Sequence, residues 1–180
     1  MKLSTLAVVI GSVFSLPQIY GLLNPGAFAK SARKFPRSEP WGFVLMLLGT
    51  FWFLNNLNNE SISDFAAYKK PMLIGFGLIG VLTCIYVRDF LAVRGLAIVL
   101  LLAAWQTLNT ARFMDTPWRL VLVVWAYIWV IAGMWLTISP WRFRDYLAWV
   151  TANEKRVRLG SLLRLLFGLF VIGLGLVVFK

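Results

Sequence analysis

Six stretches of this chain are almost continuously apolar: about residues 3–23, 41–57, 71–87, 91–109, 118–138 and 159–179. A bilayer's hydrocarbon core, about 30 Å thick, is crossed by about 20 helical residues, with about 17–25 tolerated. In lipid every backbone N–H and C=O must find its partner within the segment, which leaves the helix as the form open to such spans. The alternating pattern that a membrane β-barrel needs is absent. The expected fold is therefore all-α: a polytopic membrane protein of six transmembrane helices, arranged as three hairpins with short interfacial amphipathic helices.

Composition agrees with that reading. Hydrophobic residues make up 60% of the 180 and charged residues 14%, where soluble domains carry about one quarter charged. A soluble domain this small cannot hide so much apolar surface. We expect one integral membrane domain over residues 1–180, with hairpin units at about 3–57, 71–109 and 118–179. Lys2 and Ala27-Phe28-Ala29 imitate a cleavable signal, but the apolar run between them is long for one and Asn24-Pro25 intervenes. Residues 3–23 are read as a retained span.

The basic residues sort by side. Connection 24–40 carries Lys30, Arg33, Lys34 and Arg37, the tight third-to-fourth turn carries Arg88 and Arg94, and connection 139–158 carries Arg142, Arg144, Lys155, Arg156 and Arg158. The opposite side has only Lys2, Lys69, Lys70, Arg112, Arg119 and Lys180, and Arg164 lies inside the last span. Basic residues in short connections stay cytoplasmic. Both termini are thus expected outside the cytoplasm, whereas five helices would put the two basic connections on opposite faces. A single cysteine, and so no internal disulfide, suits a bacterial inner (plasma) membrane.

Several function classes are disfavoured. There is no histidine, which removes the commonest ligand for zinc, haem iron or chlorophyll-type magnesium and the commonest general base near neutral pH. Cys84 stands alone in an apolar run. The acidic residues Glu39, Glu60, Asp64, Asp89, Asp115, Asp145 and Glu154 all fall at segment ends or in connections, where a proton or cation pump would keep one at membrane depth. No phosphate-loop, nucleophile-elbow or zinc-protease motif occurs. We expect no enzyme, no metal and no His-ligated cofactor, which leaves room for a bound lipid, quinone or carotenoid. The net charge of +11 flanks spans and forms no groove for nucleic acid. The expected partners are anionic lipids, other membrane subunits or further copies of the chain, with each surface basic residue adding about 1 kcal/mol of attraction to anionic lipid.

Two connections repeat a pattern. Asn24-Pro25-Gly26-Ala27-Phe28 precedes a basic stretch and Trp41-Gly42, and Ser139-Pro140-Trp141-Arg142-Phe143 precedes a basic stretch and Leu159-Gly160. Asn or Ser caps a helix and proline suits its first position, so each step should close a span and open a helix along the membrane surface. Phe28, Ala32 and Phe35 then share one face opposite Lys30, Arg33, Lys34 and Arg37. Phe143, Leu147 and Val150 share another opposite Arg142, Arg144 and Asp145. Thr151 and Glu154 read as a capping box for the last helix, and Thr116-Pro117 as the start of the fifth. From Ser139-Pro140 through Leu159-Gly160 and the final apolar run, about residues 139–179, the chain resembles small two-helix bacterial inner-membrane proteins of uncharacterised function. That resemblance implies a membrane location and no activity.

Three sets of residues stand out as candidate sites. Ser12, Ser15 and Gln18 form an intramembrane polar strip beside Pro17, which with Thr83, Gln106 and Asn109 could line a path or simply bond helices together. Lys30, Arg33, Lys34, Arg37, Arg142, Arg144 and Arg164 are candidate lipid-phosphate contacts; Arg164 either snorkels to the headgroups or pairs with Asp145, Asp89 or a partner's carboxylate. Trp125, Trp129 and Trp135 are a candidate lateral surface for a partner or flat ligand, or else part of the core. The leading expectation is a non-catalytic structural or accessory subunit of a larger membrane assembly. A small oligomeric transporter or channel comes second, and a lipid-handling protein third.

Overall fold

The computed structural model describes residues 2–60 and 66–179. Asp64 and Lys180 lie outside the described residues. Of the described residues 87% are helical, in two short 3-10 turns and eight α-helices with no strand among them: α1 (Leu3–Leu23), α2 (Pro25–Lys34), α3 (Glu39–Asn59), α4 (Lys69–Tyr86), α5 (Leu91–Ala111), α6 (Arg119–Ile138), α7 (Trp141–Val150) and α8 (Glu154–Val177). Six of them, α1, α3, α4, α5, α6 and α8, are long and apolar enough to cross a membrane. α2 and α7 are the two short amphipathic helices.

The Asx/Ser-Pro steps close one helix and open the next. The N–H of Asn24 donates to Tyr20 O at 2.9 Å, and its own carbonyl accepts from Phe28 N at 2.9 Å, so one residue serves both helices and Pro25 begins α2. Ser139 works similarly, donating to Trp135 O at 2.8 Å and accepting from Arg142 N at 3.2 Å. At Thr116-Pro117 the turn leads in more gradually, and α6 begins at Arg119 after an i→i+3 bond to Thr116 O.

The expected capping box does not form. α8 starts at Glu154 with Asn153 before it and no side-chain cap. Thr151 is engaged elsewhere: its hydroxyl donates to Leu147 O at 2.6 Å and accepts from Arg33 Nε at 2.8 Å. The guanidinium of Arg33 outcompetes an N-terminal amide because it brings a full charge to the same oxygen.

The chain divides into two compact units. One comprises Met1–Lys34, Ala103–Ile131 and Arg144–Lys180, the other Phe35–Leu102 and Ala132–Phe143. In the first, α1 and α8 run antiparallel along most of their length. Ser161, Gly168 and Gly175, spaced seven apart on α8, meet Gly21, Gly11 and Ser15, and Ala7 on α1. The fit is close: a Cβ at Gly11 would stand 2.9 Å from Gly168 O. Leu3, Ala7, Leu122, Trp125, Val171 and Leu174 form the core beside this seam.

In the second unit α3 lies parallel to the first half of α5. A Cβ at Gly95 would stand 2.7 Å from Met46 N, and one at Gly42 2.9 Å from Leu91 Cβ. α4 packs antiparallel on α3, through Gly80 against Thr50 and through Phe53 and Phe76 at 5.1 Å. The α4–α5 turn puts Phe90 at φ 53°, a left-handed conformation that costs a branched-free L-residue about 1–2 kcal/mol. Its ring is buried with Val93, Ala97 and Leu136 under the Arg37 guanidinium, 5.6 Å away, and that burial offsets the strain.

Candidate functional site

The polar strip on α1 is enclosed in packing. Ser15 and Gln18 are only 5% and 7% exposed, and Ser15 packs directly on Gly168 of α8. Gln18 Nε2 donates to Phe14 O at 3.4 Å, while Gln18 Oε1, Ser15 Oγ and Ser161 Oγ have no hydrogen-bond partner among the described residues. Ser12 is half-buried. On α5, Gln106 is half-buried and its backbone oxygen accepts the Thr110 hydroxyl at 2.7 Å. Thr83 spends its hydroxyl on Ile79 O of its own helix. Asn109 instead lines an open cleft of about 560 Å³ with Lys2, Leu3, Thr110, Phe113, Met114 and Phe179. Lys2 and Phe179 share this cleft because antiparallel α1 and α8 bring those ends of the unit together.

The basic candidates separate into three roles. Arg33 is a structural clamp: Nε donates to Thr151 Oγ1 at 2.8 Å and Nη2 to Thr151 O at 2.7 Å, fixing α2 to the α7–α8 junction. Arg37 covers Phe90, and Arg144 pairs with Asp145 at 3.0 Å with both side chains about half exposed. Lys30 and Lys34 remain open, lining a cleft of about 390 Å³ with Gly26, Ala29 and Arg33. Arg142 is exposed.

Arg164 does not pair with Asp145, whose carboxylate is held by Arg144. Its Nη2 donates to the Tyr146 hydroxyl at 3.2 Å. Its guanidinium lies back along the helix, 3.9–4.0 Å from where a Cβ at Gly160 would be. The long side chain carries its charge about one turn toward the start of α8. One turn earlier again, the Arg156 guanidinium sits 5.6 Å over the Trp149 ring. Sequence reasoning missed Tyr146, Trp149, Arg156 and Gly160 as a group. The available signal was the i, i+4, i+8 spacing of Arg156, Gly160 and Arg164 beside the i, i+3 pair of aromatics on α7.

The tryptophans part company. Trp125 is 6% exposed and belongs to the core, edge-on to Phe14 at 5.0 Å and to Phe167 at 4.9 Å. Trp129 is half-buried at 4.6 Å from Trp125. Only Trp135, 58% exposed, presents a lateral surface.

Comparison of the chain with family models, curated proteins and solved structures finds no match, so nothing from them bears on the resemblance of residues 139–179.

Proposed function

We propose that the chain is a non-catalytic accessory subunit of a larger membrane assembly. It would sit in a bacterial inner membrane with both termini outside the cytoplasm and touch its partners sideways within the bilayer. The observation that carries this reading is the isolation of α4. Only 11% of its apolar window is buried, against 22–39% for the other five long helices. It packs chiefly on α3, and Ile74, Leu78, Ile79, Leu82 and Ile85 are exposed.

Exposure alone is what lipid would ask for. The glycine pattern adds a distinction. Gly75 has nothing within 4 Å of where a Cβ would be, and Gly77 has only Leu54 at 3.6 Å. Small residues gather where membrane helices approach closely, since lipid tails solvate leucine as well as another helix does. A glycine on an unpartnered face thus fits a second helix better than acyl chains. A small transporter fits less well, because Ser15 is shut into the α1–α8 seam and Gln18 is buried.

Extraction from native membranes in a mild detergent tests the reading. The expected product is a discrete species much larger than the 20.4 kDa chain that contains other proteins. A clean, stable monomer would contradict it.

A further inference from the structure

We infer that the α7–α8 elbow of the first unit binds the phosphodiester of an anionic phospholipid, seated over Gly160 between the guanidiniums of Arg156 and Arg164. The three residues recur every fourth position and so lie on one strip of α8, spanning about 12 Å along its axis. Gly160 opens the floor of that strip, and the nearest side-chain atoms to it are those of the Arg164 guanidinium. Gly160 thus leaves room for the Arg164 guanidinium to lie back toward Arg156, which brings two positive charges onto one strip of α8.

The two arginines are held but not saturated. Arg164 has five N–H donors and gives one bond to Tyr146. Arg156 rests 5.6 Å over the Trp149 ring, a contact with the ring's π-cloud that consumes no hydrogen-bond acceptor, and its side chain is exposed. The nearest acid on α7, Asp145, is taken by Arg144. A planar fork with parallel N–H groups matches two phosphate oxygens better than an ammonium does. Tyr146 and Trp149 are both exposed, as aromatics at headgroup level commonly are. Leu159, Leu163 and Leu166, also exposed, provide an apolar lane for an acyl chain running deeper along α8.

The headgroup should be anionic rather than zwitterionic. A choline group beside the phosphate would add a like charge next to the Arg156 and Arg164 guanidiniums. The expected ligand is a phosphatidylglycerol-type lipid. Its phosphodiester chemistry is shared with free phosphate, which lacks the acyl chain.

The test uses the full chain in nanodiscs of equimolar phosphatidylcholine and phosphatidylglycerol, with lipids retained after ejection counted by native mass spectrometry. Wild-type protein should retain phosphatidylglycerol over phosphatidylcholine. Arg164→Gln and Arg156→Gln should each lower that retention about tenfold, the loss of one charge-assisted contact, with helicity unchanged by circular dichroism. If Arg164→Gln does not fold, the exposed Arg156→Gln decides alone. Undiminished retention in the folded variants, equal retention of phosphatidylcholine, or displacement of the lipid by inorganic phosphate alone would overturn the assignment.

Discussion

By composition α8 and α4 are alike: the first carries Gly160, Gly168, Gly173 and Gly175 in an apolar run, the second Gly75, Gly77 and Gly80. Their surroundings differ. On α8, Gly168 and Gly175 recur with Ser161 at seven-residue spacing and all three are filled by α1, with 3.0 Å between a Cβ at Gly175 and Ser4 O, while Gly173, out of that register, has nothing within 4 Å. On α4 only Gly80 is crowded, by Thr50, and Gly75 faces open space. Seven residues are close to two turns, so a small residue repeated at that interval keeps one straight face toward one neighbour. α4 has no such repeat and is held along one side only. Glycine in an apolar helix thus reports a neighbour within the chain only where it falls in register with another helix's small residues.

Core truncation beside the crowded seam should cost most. Trp125→Ala removes the ring that joins Phe14 of α1 to Phe167 of α8, and we expect a loss of about 3–5 kcal/mol, read as an earlier midpoint in SDS titration followed by circular dichroism. Next comes overpacking. Gly11→Ala puts a methyl against Gly168 O, and Gly95→Ala puts one against the Met46 amide in the other unit; backbone cannot step aside, so each should cost about 1–3 kcal/mol. Arg33→Ala removes both bonds to Thr151 and should cost about 1 kcal/mol, given the partial exposure. Its clearer readout is faster proteolysis of the segment joining α7 to α8. At the bottom of the scale, Gly75→Ala should change the stability of the isolated chain by less than about 0.5 kcal/mol, yet weaken the larger species seen on mild extraction. A Gly75→Ala that destabilised the chain as much as Gly11→Ala would erase the distinction between the two helices.

The long helices were readable in the sequence because lipid imposes one length and one polarity on them. α1 occupies the residues expected, and α3 to α6 fall within about two residues of their apolar runs. α8 starts five residues early, at Glu154 rather than 159. Glu154, Lys155, Arg156 and Arg158 are good helix formers, so the apolar run marks the membrane and not the helix. Neighbour choice was not readable. The α1–α8 pairing joins residues more than 130 positions apart, and six apolar helices offer many alignments of similar quality. The same ambiguity hid Trp125, because a side chain facing lipid and one facing the core obey the same composition rule. The α7–α8 elbow was half visible: Arg164 announced itself as a charge within a span, while its companions Tyr146, Trp149 and Arg156 read as ordinary interfacial residues until the fold brought them together.

The most direct test of the account is photo-crosslinking in native membranes from a probe amino acid at Ile79, on the exposed side of α4. The account predicts a discrete crosslinked band with another protein or a second copy of the chain, one that a probe at Leu163 on α8 does not give. Adducts to lipid alone at Ile79, at the same yield as at Leu163, would contradict it.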